Sequence, residues 1–171
     1  IQGEFYDQDF PAVTSSLKGA GVADDEKDKK KLIEFESYEF KRLSYVLKDF
    51  DVIKDGISPN DIYQGGLGNC YFMSALASTA ENPDRIMRNI VQTTKNDKGA
   101  YCILLNVTGA WVAVPLDDIF PVRKDGVLAF SYTKTHEIWA MLFEKAYAKV
   151  YRGYMNIGSG GMCSNALSDI T

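Results

Sequence analysis

The stretch that most limits what this chain can become is residues 64–78, QGGLGNCYFMSALAS. It opens as a glycine-dense turn, passes through Cys70, and continues as small and apolar side chains. Met73, Leu76, Ala77 and Ala80 fall at i, i+3, i+4 and i+7, which aligns one face of an α-helix. Asn69 or a neighbouring turn residue is expected to cap its start. Cys70 then sits in the first turn, where unpaired backbone N–H groups and the positive end of the helix dipole favour an anion. The thiolate favoured there is the nucleophilic form of cysteine. Gln64, six residues upstream, brings a side-chain amide toward the same point. With the Cys70 backbone N–H it would make a two-donor oxyanion hole for an acyl-transfer intermediate. The plainer alternative is an inert, buried thiol acting as a small hydrophobe.

Glycines ahead of a helix also raise nucleotide binding, which the residues exclude. A Walker loop needs Gly-Lys-Ser/Thr after four residues, and no lysine stands there. A dinucleotide fingerprint needs a third small residue where Tyr71 stands. The glycines are read instead as a tight turn whose bare backbone approaches a substrate. A formal charge of -4 supplies no basic field for nucleic acid. No apolar run has the length of a transmembrane segment, and the N-terminus lacks a signal-peptide core. The three cysteines form no CxxC pair, so neither a disulfide framework nor a structural zinc is expected, and a reducing cytoplasm suits them. At 171 residues, 46% of them hydrophobic, the chain is long enough for one domain with a real core.

Along the chain, residues 1–50 are expected as an extended or irregular segment with a short helix, packed on a lobe formed by 51–171. Phe5, Phe10, Pro11 and Leu17 are its scattered anchors, and residues 19–31 read as a solvated loop of glycine and mixed charge. Residues 32–50 read as irregular structure followed by a short helix. Asn82-Pro83 breaks the chain before a short helix over 84–89. Strand-like runs at 101–107 and 110–116 flank Thr108-Gly109, and Asp125-Gly126 gives a second hairpin signal. These predict a small antiparallel sheet, with Cys102 as filler and Trp111 as a packing aromatic. Thr135 is expected to cap a second main helix with Glu137 in its first turn. Ile138, Trp139, Leu142, Phe143, Ala146, Tyr147 and Val150 form its broad apolar face.

Gln-Gly-x-Leu-Gly-x-Cys-aromatic followed by a small-residue helix resembles the active-site segment of calpains, which are papain-like cysteine proteases. That family usually has aspartate before the cysteine and tryptophan after it; here Asn69 and Tyr71 take those places. The opening around Phe10-Pro11, the start at Glu137-Ile138-Trp139, FEKAYAK at 143–149 and Ser159-Gly160-Gly161 are similar as well. The resemblance implies an α+β fold, the N-terminal lobe of a papain-like protease, with a central cysteine-bearing helix, further helices and a small antiparallel sheet. It implies Cys70 as nucleophile, Gln64 as oxyanion donor, and Gly160 and Gly161 as substrate-contacting backbone. The bland reading of 159–161 is a flexible glycine loop.

Residues 51–66 are acidic and turn-rich. An EF-hand started at Asp51 fails, because Ile53 and Ile62 occupy positions that need oxygen ligands. A calcium site outside that motif survives, against the simpler reading that Asp55 and Asp61 only make turns. The resemblance implies such a site, formed by the carbonyls of Lys54 and Gly56 with Asp61 and a distant Glu137. A cysteine nucleophile also needs a base, normally histidine. The one histidine, His136, matches no catalytic position of the family and reads as a surface residue. The resemblance places the base histidine and its orienting asparagine in a second lobe outside this chain. Two readings follow: the cysteine lobe of a calcium-dependent endopeptidase acting on protein substrates, inactive alone, or a non-catalytic calpain-like module that binds calcium or a peptide.

Overall fold

The computed structural model describes residues 3–19 and 26–171. Residues 3–13 form no regular element but are stitched to the body. The Phe5 N–H donates to Lys98 O at 2.8 Å, and the Asp7 N–H donates to Asp117 Oδ2 at 2.9 Å. A short helix, α1 (Thr14–Lys18), carries Leu17 into the core and stops at Gly19, whose φ of 71° favours glycine. Of the loop expected at 19–31, residues 20–25 lie outside the described residues, and residues 26–31 are instead the first half of helix α2 (Glu26–Glu36). Phe35 explains the helix: it is buried against Tyr38 and Phe130, with ring centroids 5.4 Å away in both cases. Glu26 and Asp28 occupy the first turn, where the dipole favours carboxylates.

Strand β1 (Glu39–Arg42) leads into helix α3 (Leu43–Val46), so the region expected to be irregular is partly a strand. Its partner is distant in sequence, which is why local pattern missed it. A single 3₁₀ turn, Pro59–Asp61, is capped by Ser58, whose Oγ accepts from the Asn60 N–H at 3.2 Å. Helix α4 (Cys70–Ala80) buries Phe72, Met73, Ala75, Leu76, Thr79 and Ala80, a wider face than one stripe. Helix α5 (Pro83–Met87) begins on its proline.

Strands β2 (Ala100–Val107) and β3 (Ala110–Asp117) pair antiparallel, from Val107 opposite Ala110 to Ala100 opposite Asp117. Thr108 and Gly109 have φ of 52° and 86°, the positive values a two-residue hairpin turn needs. Trp111 is 52% exposed rather than packed, because the first residues of β3 extend past the body. Strand β4 (Ile119–Val122) pairs with β1, Glu39 opposite Val122. The Asp125-Gly126 turn forms, but it closes only one bridge, Val122 to Leu128. The antiparallel structure among the described residues is therefore two separate two-stranded sheets.

Helix α6 (Trp139–Val150) is the interior element, with every residue from Trp139 to Ala148 buried. Phe72 of α4 stacks on its Tyr147 at 4.2 Å between centroids. Buried Lys145 gives its three N–H groups three acceptors: Asp117 Oδ1 at 2.5 Å, Asp117 O at 3.0 Å and Ile119 O at 2.7 Å. Two short helices, α7 (Tyr154–Gly158) and α8 (Cys163–Ile170), close the chain. Helix α8 packs on α4 and β2. The Asn89 side chain donates to Ile170 O at 2.8 Å, which ties the end of α8 to the segment that follows α5. No helix among the described residues is long and apolar enough to cross a membrane.

Candidate active site

Cys70 is the first residue of α4, and it is exposed. The first full helical bond of α4 runs from the Met73 N–H to Asn69 O at 3.1 Å. The N–H groups of Cys70 and Tyr71 precede that ladder. Asn69 does not cap the helix with its side chain, contrary to the sequence expectation. Fully buried, its Nδ2 donates to Glu144 Oε1 at 2.8 Å, because α6 offers a carboxylate on the inner side. The Gln64 Nε2 donates to Leu67 O at 2.5 Å and closes the glycine turn; a primary amide keeps a second N–H beyond that one. The loop at 159–162 reaches the residue after the cysteine. A Cβ added to Gly161 would lie 2.5 Å from Tyr71 Cζ, so only glycine lets this backbone cross the ring. Gly160, at φ 97°, adjoins it on the surface. Cys163 begins α8 and is exposed, whereas Cys102 is half-buried in β2, where burial pushes its thiol upward.

The loop before this turn pairs with the approach to α6. The Asp51 N–H donates to His136 O at 3.3 Å, the Ile138 N–H to Asp51 O at 3.0 Å, and the Trp139 N–H to Val52 O at 3.2 Å. That pairing delays the helix to Trp139, with Ile138 at its N-cap. Thr135 therefore does not cap α6, and Glu137 precedes the first turn. Glu137 is 1% exposed. Its Oε1 accepts from the Lys54 N–H at 2.6 Å and the Asp55 N–H at 3.3 Å, and its Oε2 accepts from Thr135 Oγ1 at 2.7 Å. Burial, then repulsion from Glu137 and from Asp55, hold the Asp61 carboxyl above its ordinary range, and the N–H from Ser58 opposes them. Gly56, at φ 99°, continues the same loop. Glu137 thus meets the Lys54–Asp55 backbone directly and Asp61 electrostatically. The expected donor set is hard oxygen throughout, which fits calcium chemistry. In this conformation the Glu137 oxygens are engaged by N–H and O–H donors. No group of three or more His, Cys, Asp or Glu side chains placed for a metal occurs among the described residues.

A family model described as calpain family cysteine protease matches residues 5–171. The chain belongs to the calpain family. It is similar to the calpain-type cysteine protease DEK1 of Zea mays (36% identical over 140 residues, 78% of this chain). It is also similar to calpain-5 of Caenorhabditis elegans (38% over 140 residues, 77% of this chain). The calpain-1 catalytic subunit of Homo sapiens is 34% identical over 172 residues, 98% of this chain. The matched regions make up 6%, 21% and 23% of those relatives, so the chain spans a minor part of each. The mixture of helices with small antiparallel sheets is that of a papain-like calpain core lobe.

Within this calpain lobe His136 is exposed and stands apart from the cysteine turn. It lines a cavity of about 270 Å³ with Val46, Leu47, Leu128 and Met141, and no residue of 64–70 contributes to that cavity. Sequence reasoning missed Glu144 and Ser131. Glu144 Oε2 accepts from the Ser131 N–H at 3.0 Å and from Ser131 Oγ at 2.6 Å, while Oε1 takes the Asn69 amide. Burial pushes the Glu144 carboxyl upward, and the bonds from Ser131 and Asn69 oppose it. The available signal was Glu144-Lys145 in mid-helix among apolar residues on both sides.

Proposed function

We propose that this chain is the nucleophile-bearing lobe of a calcium-dependent cysteine endopeptidase that cleaves proteins. The observation that carries the reading is exposed Cys70 at the head of α4, with Gln64 tied into the turn just before it. The thiolate attacks the scissile carbonyl carbon, and the carbonyl oxygen, as it gains charge, accepts from the Cys70 N–H and the second N–H of Gln64. The exposed backbone at Gly160 and Gly161 pairs with an extended peptide. The general base is a histidine, oriented by an asparagine, in a second lobe; without it this lobe has no proton shuttle and turns peptides over poorly. Lys54 O, Gly56 O, Asp61 and Glu137 are the calcium ligands. When bound, the ion offsets the negative charge that Asp55, Asp61 and Glu137 gather around one loop. Three free thiols suit a reducing compartment, and the cytoplasm is the proposed location.

The test is competitive alkylation by iodoacetamide at neutral pH, with each cysteine quantified by peptide mass. Cys70 is expected to react at least about tenfold faster than Cys163, which is also exposed at a helix start, and faster still than Cys102. Equal rates at Cys70 and Cys163 would remove the support for an activated nucleophile and leave a binding module.

A further inference from the structure

We infer that Glu144 is the positioning residue of this site: one buried carboxylate holds both the backbone that carries Cys70 and the backbone that carries Gln64. The inference rests on the catalytic reading above and names what sets its geometry. On one side, Glu144 Oε1 accepts from Asn69 Nδ2 at 2.8 Å. Asn69 is fully buried and immediately precedes Cys70. Its own carbonyl accepts from Phe72 N–H at 2.9 Å and Met73 N–H at 3.1 Å, so it fixes where α4 begins. On the other side, Oε2 accepts both the N–H and the hydroxyl of Ser131. Ser131 lies in a segment bonded to the Gln64 turn on both flanks. Tyr63 and Tyr132 exchange N–H···O bonds at 3.0 Å each, and the Gly66 N–H donates to Ala129 O at 3.0 Å.

Two rigid segments thus converge on one residue of the most deeply buried helix. The two oxyanion donors lie six residues apart at the two ends of one turn, and a hole works only when both are held at a fixed separation. The place needs two acceptor or donor groups on one side chain: leucine would leave both the Asn69 amide and the Ser131 N–H without a partner. Glutamine keeps both anchors, its Oε1 accepting from Ser131 and its Nε2 donating to Asn69 Oδ1, which has no other partner, once that amide turns over.

The experiment follows Cys70 alkylation by iodoacetamide in the full chain, with Cys102 and Cys163 as internal controls. Glu144→Leu is expected to slow Cys70 by about fivefold while Cys163 is unchanged. Half-buried Cys102 reports general loosening: it accelerates if the fold opens and stays constant if only the nucleophile is displaced. Glu144→Gln is the conservative variant: its Oε1 accepts from Ser131 and its Nε2 donates to Asn69 Oδ1 once that amide turns over, so the Cys70 rate is expected to stay within about twofold of the parent. Ser131→Ala removes only the hydroxyl donor and serves if Glu144→Leu does not fold; it is expected to slow Cys70 by about twofold. Unchanged Cys70 rates in folded Glu144→Leu, or in Ser131→Ala, overturn the assignment, as does a folded Glu144→Gln that is as slow as Glu144→Leu. A parent protein in which Cys70 is no faster than Cys163 instead defeats the catalytic reading itself, so the two failures are distinct.

Discussion

Gly65 sits so close to the main chain of Phe130 that a Cβ there would overlap the Phe130 carbonyl oxygen. The obstacle is backbone, held by the bonds that flank it, so no rotamer change relieves it. Gly65→Ala is therefore expected to cost about 3 kcal/mol, the upper part of the range for overpacking. Gly109 and Gly126 meet nothing within 4 Å but have φ of 86° and 83°. Alanine at either should cost only about 1 kcal/mol, the left-handed backbone penalty. Urea denaturation of the three variants checks the ranking, and equal losses would mean that Phe130 gives way. Here the sequence showed that glycine was needed, for a tight turn and a bare backbone, but not that Phe130 makes the need at Gly65. The partner is internal and far along the chain, a contact no local pattern contains.

At the scale of elements, periodicity located α4 and α6 but misplaced the entry to α6. Thr135 and Glu137 have the residue types of a cap and a first-turn acid, and locally nothing argues otherwise. What decides is the competing backbone pairing of 51–52 with 136–139, which draws the Glu137 carboxylate onto the N–H groups of Lys54 and Asp55. The loop preceding the nucleophile and the start of the buried helix are one unit for that reason. A cation held there should stabilise the folded chain by mass action. Millimolar calcium is expected to raise the thermal midpoint by about 2–4 °C, the shift for roughly 1 kcal/mol in a chain of this size. Asp61→Ala should abolish the rise without much affecting the calcium-free midpoint, since burial and repulsion from Glu137 and Asp55 outweigh the one bond from Ser58 that favours its charge. Equal concentrations of magnesium are the control, because that ion demands tighter octahedral geometry. An unchanged midpoint in calcium would retire the site.

For the molecule as a whole, the buried polar groups were the least legible feature. Composition shows abundant tyrosine and ordinary charge, but only the packed chain shows that Glu144, Lys145 and several tyrosines lie around one helix. Burial is the leading cause raising the hydroxyls of Tyr38, Tyr71, Tyr101, Tyr147, Tyr151 and Tyr154 above their ordinary value. Burial moves Lys145 the other way, down from its ordinary value, against the pull of Asp117. The two shifts have opposite consequences. Just below about pH 10 the tyrosines are protonated in both states and contribute no slope, while Lys145 binds fewer protons folded than unfolded, so its own contribution to stability rises with pH. Above about pH 10 the unfolded tyrosines ionise first and the folded ones keep their protons. The unfolded state then binds fewer protons, and stability falls as pH rises. One lysine is set against six tyrosines, and its own contribution is complete once the unfolded lysine has titrated at about 10.4. The thermal midpoint should therefore change little just below about pH 9.5 and drop steeply beyond about pH 10. Tyrosinate absorbance of the folded protein should lag behind that of the urea-unfolded chain, and Tyr154→Phe should make the drop shallower. Coincident absorbance curves would mean that these hydroxyls reach water in the folded chain, and the core would then be looser than its packing requires.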